Sequence, residues 1–146
     1  MKPDKILIIA AKFNDLVTKP LVDGAQEYLI SPGCQQADLE KIWVPGSFEL
    51  PLVAKKAAKT GRFRAIICLG AVIRGETPHF DFVAGQAAAG VMNVGLEAEI
   101  PIIFGVLTTN TVEEALNRCG LKHGNKGADA ASTALQMIKI LEEFDQ

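Results

Sequence analysis

Four short runs of aliphatic and β-branched residues, Ile6 to Ala10, Lys41 to Val44, Ala65 to Leu69 and Ile102 to Leu107, alternate with segments whose apolar residues recur at helical spacing. This alternation constrains the chain more than any other feature. A strand that is followed by a helix and then another strand pairs in parallel through a right-handed crossover, and the helices come to cover both faces of the sheet. The expected fold is therefore α/β: a three-layer sandwich built on a four-stranded parallel sheet. With 146 residues the chain has the usual size of one domain, and residues 1–146 are read as such.

The intervening segments carry their own signals. The first places Leu21, Val22, Ala25, Tyr28 and Leu29 on one face before Ser31, Pro32 and Gly33 stop it. The second runs from about Phe48 to Lys59. A third, from about Pro78 to Glu99, has Ala84, Ala87, Ala88, Gly90 and Gly95 along one side, a surface that permits close approach and is expected to be buried. A short helix from Val112 to Asn117 follows. The last, from about Asp129 to Glu143, has Ala130, Ala134, Met137, Ile138 and Leu141 as its apolar stripe.

Composition removes several classes of function. Fifteen Lys and Arg against seventeen Asp and Glu give a net charge of -2 with no basic block, so the electrostatic footprint of a nucleic-acid binder is missing. No apolar stretch approaches the ~20 residues of a membrane helix, and neither a signal peptide nor a membrane anchor is expected. Cys34, Cys68 and Cys119 are odd in number and lack C-x-x-C spacing, so they read as reduced thiols of a cytoplasmic protein.

In parallel sheets ligands bind outside the carboxyl ends of the strands, which narrows the search for chemistry to four windows. After the first strand, Phe13 can stack on a flat heteroaromatic ring, or fold back on the core while Asn14 or Asp15 caps the next helix; from this window alone the packed reading is preferred. After the second, Val44 to Pro51, Gly46 lets the backbone approach a ligand, and Ser47 can cap a helix whose free amides face carbonyl groups. Glu49 suits either a ligand or the positive end of that helix.

The third window, Gly70 to His79, is the most informative. Thr77 reads as an N-cap and Pro78 as the first helical residue, so a helix N-terminus preceded by Gly75 offers free amides and a positive dipole end to a phosphate. His79 lies in that first turn, and imidazole is the side chain that exchanges protons near neutral pH. A packed or surface histidine is the equal alternative. In the fourth window, Thr108 to Thr111, the hydroxyls read best as helix caps. Farther on, Arg118 can complement the negative end of its helix or bind phosphate bidentately, and Lys126 is flanked by Gly124 and Gly127.

Taken together, Phe13 and Asn14, the segment Val44 to Pro51, the segment Gly70 to Asp81, Phe104 and Gly105, and the segment Gly124 to Gly127 resemble the 6,7-dimethyl-8-ribityllumazine synthase family over almost the whole chain. The resemblance implies a flavodoxin-like sandwich that condenses 5-amino-6-ribitylaminouracil with 3,4-dihydroxy-2-butanone 4-phosphate, releasing phosphate and water. It implies no metal or organic cofactor. Carried over by position, Phe13 would stack on the pyrimidine, while Ser47, Phe48, Glu49, Ala71, Val72 and Ile73 would hold its polar edge and ribityl chain. Glu76 and Thr77 would bind the butanone phosphate, with Arg118 paired to it, and His79 would shuttle protons.

The family's pentamers, some packed further into sixty-subunit icosahedral shells, have active sites between subunits, so Phe104, Arg118 and Lys126 would come from a neighbour. Asp129 stands where the family commonly has Glu, and few residues precede the first strand, which leaves a shell less supported than a pentamer. Rival readings are a flavodoxin-like binding protein, a shell protein without turnover, and a related riboflavin synthase. Against the first, Ala10 to Asn14 contain no G-x-G-x-x-G pattern.

Overall fold

The computed structural model describes residues 3–31 and 38–145. Four parallel strands, β1 (Lys5–Ala11), β2 (Leu39–Val44), β3 (Phe63–Ile73) and β4 (Ile102–Thr109), pair in the order β2-β1-β3-β4. Helices α1 (Asp15–Ile30), α2 (Leu50–Lys59), α3 (His79–Ala98), α4 (Val112–Asn117) and α5 (Lys126–Glu142) supply the connections and the C-terminal element. This is the expected three-layer α/β sandwich.

Alternation along β1 builds two cores at once. Ile6, Ile8 and Ala10 meet Leu21, Ala25, Ala134 and Ile138 of α1 and α5, whereas Leu7, Ile9 and Ala11 meet Leu50, Ala54, Val91 and Val94 of α2 and α3. Because both faces are covered, the central strands read as unbroken aliphatic runs rather than alternating ones. β2 departs from that expectation. It is an edge strand whose Lys41 and Ile42 are exposed and in which only Val44 is buried.

The α1/α5 layer is tight where the last helix begins. A Cβ at Gly127 would overlap the carbonyl oxygen of Leu21 and lie 2.6 Å from its carbon. Beside it the Asn125 side chain caps α5 by accepting from the Ala128 amide at 3.1 Å, and donates to the carbonyls of Pro20 at 3.0 Å and Cys119 at 3.3 Å. This cap explains why α5 starts at Lys126, earlier than its apolar stripe suggests.

Other differences have equally local causes. Tyr28 and Ala88 lie on the edges of their helices' apolar stripes and are exposed, the buried sets being Val17, Thr18, Leu21, Val22, Ala25 and Leu29 in α1 and Ala87, Val91 and Val94 in α3. Cys68 and Cys119 are buried and unpaired. Pro32, Gly33 and Cys34 lie outside the described residues.

Candidate active site

β1 and β3 are neighbours, yet α1 leaves β1 toward one face while α3 leaves β3 toward the other. Diverging connections open a crevice above the carboxyl ends of such a strand pair. A cleft of about 480 Å³ lies there, lined by Phe13, Ser47, Phe48, Glu49, His79 and Phe82 among others. It adjoins a hollow of about 70 Å³ lined by Asn14, Ala71, Val72, Ile73 and Phe80; Phe13, Ser47, His79 and Val83 border both.

The first loop stays in register beyond its strand. The amide of Lys12 donates to Val44 O at 2.8 Å and that of Phe13 to Pro45 O at 3.0 Å. Asn14 then turns left-handed, with φ 64° and ψ 39°, and its Nδ2 donates to Ala71 O at 2.9 Å. Asparagine tolerates this conformation better than most residues. With the carboxamide committed to β3, Asn14 does not cap α1 through its side chain, and the ring of Phe13 is left 71% exposed at the cleft. The packed-back reading of Phe13 is overturned; Asn14 does occupy the N-cap position of α1, its carbonyl accepting from the Val17 and Thr18 amides, but without a side-chain cap.

The second loop also differs from expectation. Gly46, not Ser47, precedes a single 3-10 turn at Ser47–Glu49, and α2 starts only at Leu50. Ser47 is buried against β3 at Gly70, where a Cβ would come within 2.5 Å of the Ser47 Oγ. Seating this turn on the sheet turns Phe48 outward and leaves Glu49 half-buried at the cleft.

In the third loop, β3 runs on through Ile73, so Ala71, Val72 and Ile73 are strand residues rather than loop. α3 starts at His79 with Pro78 at its cap, one residue later than expected, while the Thr77 hydroxyl still accepts from the His79 amide at 3.4 Å. His79 is exposed and borders the cleft. Glu76 and Thr77 are exposed on the loop leading to it and do not line the cleft. Among the described residues the amides of Gly75, Glu76 and Thr77 donate to no backbone acceptor.

Besides Glu76 and Thr77, three expected site residues are not brought to this cleft. Phe104, on β4, lines a separate apolar groove of about 630 Å³ between α3, β4 and α5. Arg118 and Lys126 are exposed side by side, the Lys126 amide donating to the Arg118 carbonyl at 2.8 Å. The Arg118 Nη1 donates to Glu114 O at 3.0 Å, the helix-end contact that was one of its two readings. Thr111 caps α4 in a reciprocal box with Glu114, as the fourth window suggested. No ion pair joins Asp129 to Lys126 among the described residues.

Asn14, Phe82 and Val83 belong to the site although sequence reasoning gave them no place in it. Phe82 and Val83 were accessible to it, since they follow His79 by three and four residues and so share its helix face. The Asn14 contact spans 57 residues and has no local signal. No group of three His, Cys, Asp or Glu among the described residues could hold a metal, and no described helix is long and apolar enough to cross a membrane.

An imidazole and three exposed phenyl rings, Phe13, Phe48 and Phe82, gathered over the switch point of a parallel sheet suit an α/β protein that handles small molecules. The comparisons make this specific. The pattern of the 6,7-dimethyl-8-ribityllumazine synthase family matches residues 4–142, and the chain belongs to that family. It is 51% identical over 140 residues to the 6,7-dimethyl-8-ribityllumazine synthase of Protochlamydia amoebophila (strain UWE25), covering 96% of this chain and 81% of that one. To the enzyme of the same name from Nitratidesulfovibrio vulgaris (strain DSM 19637 / Miyazaki F) it is 49% identical, covering 96% and 90%. The family catalyses the penultimate step of riboflavin biosynthesis, the condensation set out above, and this chain is a transferase of that kind.

Proposed function

We propose that the condensation takes place in the cleft above β1 and β3, with Phe13 stacked on the uracil ring of 5-amino-6-ribitylaminouracil and His79 moving the protons. The observation that carries this reading is the convergence of Phe13 and His79, from loops far apart in sequence, on one open cleft. Ser47, Phe48, Glu49, Ala71, Val72 and Ile73 hold the polar edge and ribityl chain. Glu76 and Thr77 bind the phosphate of 3,4-dihydroxy-2-butanone 4-phosphate through backbone and hydroxyl donors.

The uracil substrate brings its own amine nucleophile, so the protein has two tasks: to hold two reactants together and to move protons during imine formation, phosphate elimination and ring closure. Near-attack positioning can supply about 7–11 kcal/mol, against roughly 10²- to 10⁴-fold in rate from general acid/base help. Positioning therefore outweighs His79.

Residues 1–146 act as a single domain that works as a homopentamer in the cytoplasm. A neighbouring copy supplies Phe104, Arg118 and Lys126, and further packing into an icosahedral shell is compatible with this arrangement. The cleft of one copy is without the two cations, and Phe104 lies in an apolar groove where Met92 and Leu96 are 63% and 71% exposed, the kind of surface that a second copy covers. No cofactor takes part.

The test mixes both substrates with purified protein and follows lumazine fluorescence and phosphate release together. Stoichiometric products well above the uncatalysed rate are expected. His79→Ala should slow turnover by about 10²- to 10⁴-fold without abolishing it. A folded wild-type protein giving only background would overturn the site, and complete inactivity of a folded His79→Ala protein would overturn the ranking of positioning above proton transfer.

A further inference from the structure

The loop between β3 and α3 has to hold its shape for the proposed phosphate site to exist, yet it is short of internal support. Residues 74–79 are all exposed, and the amides of Gly75, Glu76 and Thr77 donate to no backbone acceptor among the described residues. What spans the loop is one side chain at its start. The Arg74 Nε donates to Asn110 Oδ1 at 3.0 Å, just beyond β4. Its Nη2 lies 3.5 Å from Asp81 Oδ1 in the first turn of α3. The guanidinium also lies over the Phe80 ring, 4.4 Å from its centroid. The Arg74 amide donates to Thr109 O at 2.8 Å, fixing the near end to the sheet.

We infer that Arg74 is a positioning residue, a latch that holds the β3–α3 loop and the first turn of α3 in the geometry that binds the butanone phosphate and aims His79. It does not line the cleft. The planar fork suits the task, because one group reaches an amide oxygen, a carboxylate and an aromatic face at once, which the single ammonium of lysine does not do. The contacts are largely solvent-exposed, with Arg74 and Asp81 side chains 46% and 63% accessible, so they add little to global stability. Loosening them acts instead on placement, and a displacement of about 1 Å in a reacting group can cost on the order of 10²-fold in rate.

This inference rests on the reading of Glu76 and Thr77 as phosphate binders, and the experiment separates the two. Steady-state kinetics are measured for Arg74→Met, Arg74→Lys, Asn110→Ala, the Arg74→Met/Asn110→Ala double variant and Thr77→Val, varying each substrate in turn. For Arg74→Met, kcat/KM toward the butanone phosphate should fall on the order of 10- to 10²-fold, with a raised KM for that substrate and a KM for the uracil within about twofold of wild type. Arg74→Lys should recover part of the loss.

Asn110→Ala should lower the same constant several-fold by itself, and the double variant should be no worse than Arg74→Met, because both act through one contact. If Arg74→Met does not fold, Asn110→Ala alone carries the test. Wild-type kinetics in either folded single variant, equal losses for both substrates, or full additivity in the double variant would overturn the latch. If Thr77→Val leaves the butanone phosphate KM unchanged, the phosphate-site reading fails. If Thr77→Val responds and the Arg74 and Asn110 variants do not, the latch alone fails.

Discussion

Gly127→Ala should destabilise the fold although alanine is the better helix former. At this position the added methyl would overlap the Leu21 carbonyl oxygen and stand 2.6 Å from its carbon, inside any ordinary van der Waals contact. The obstacle is main chain in the middle of α1, so no rotamer change relieves it and the two helices must part. Overpacking of this kind costs up to about 3 kcal/mol. Replacing Gly by Ala in a helix returns at most about 1 kcal/mol, and less in the first turn, where Gly127 sits. With main chain as the obstacle the cost lies at the upper end of that range, so the net loss is about 2–3 kcal/mol, which for a chain of this size corresponds to a Tm lower by roughly 4–12 °C. Gly85→Ala provides the opposite sign, since nothing lies within 4 Å of the new methyl in the exposed middle of α3. It should raise Tm by about 2–4 °C. Calorimetry at matched protein concentration reads both, concentration being fixed because association shifts apparent stability. A Gly127→Ala protein as stable as wild type would refute the close α1–α5 approach.

Two further predictions concern the cleft and the core. Phe13→Ala should leave thermal stability within about 0.5 kcal/mol, because the ring is 71% exposed, while raising KM for the uracil substrate about tenfold; a destabilised protein with unchanged KM would show that the ring packs instead of stacking. Burial pushes the Cys68 thiol from 9.0 up to about 12, so its neutral form favours the folded state. That contribution is complete below pH 9 and is lost as pH rises from 9 toward 12, at up to about 1.4 kcal/mol per unit. Urea titrations between pH 9 and 10.5 should therefore show a steeper fall in stability for wild type than for Cys68→Ala, and parallel slopes would contradict the assignment.

The sandwich was legible because its signals are periodic: aliphatic runs separated by helical stripes leave few alternatives for strand number, parallel pairing or layer count, although the order β2-β1-β3-β4 was not read from them. Helix starts were less legible. Ser47 and Thr77 both read as caps, but Ser47 was drawn down onto Gly70, and α3 began a residue after its proline. Tyr28 and Ala88 show that a stripe gives the direction of a buried face but not its width. Phe13 was misjudged from its own window because its orientation depends on Asn14 reaching Ala71 across 57 residues, which no local pattern encodes. The resemblance had pointed to the outward ring. Phe104, Arg118 and Lys126 stand apart from the cleft of their own chain, and spacing along one chain carries no information on whether a neighbouring copy, as proposed, brings them to it.

The Asn125 carboxamide joins α1, the end of α4 and the start of α5, and the two cations flank this joint. Arg118 and Lys126 are thus mounted on a bracket rather than strung along a loop. Ordering a free backbone residue costs about 1–2 kcal/mol, and here the backbone beneath the two side chains is already ordered. A backbone held so stiffly resembles a fixed mounting more than a grasping arm: under the proposed role, it would present its two exposed side chains to an anion without first having to find its own shape.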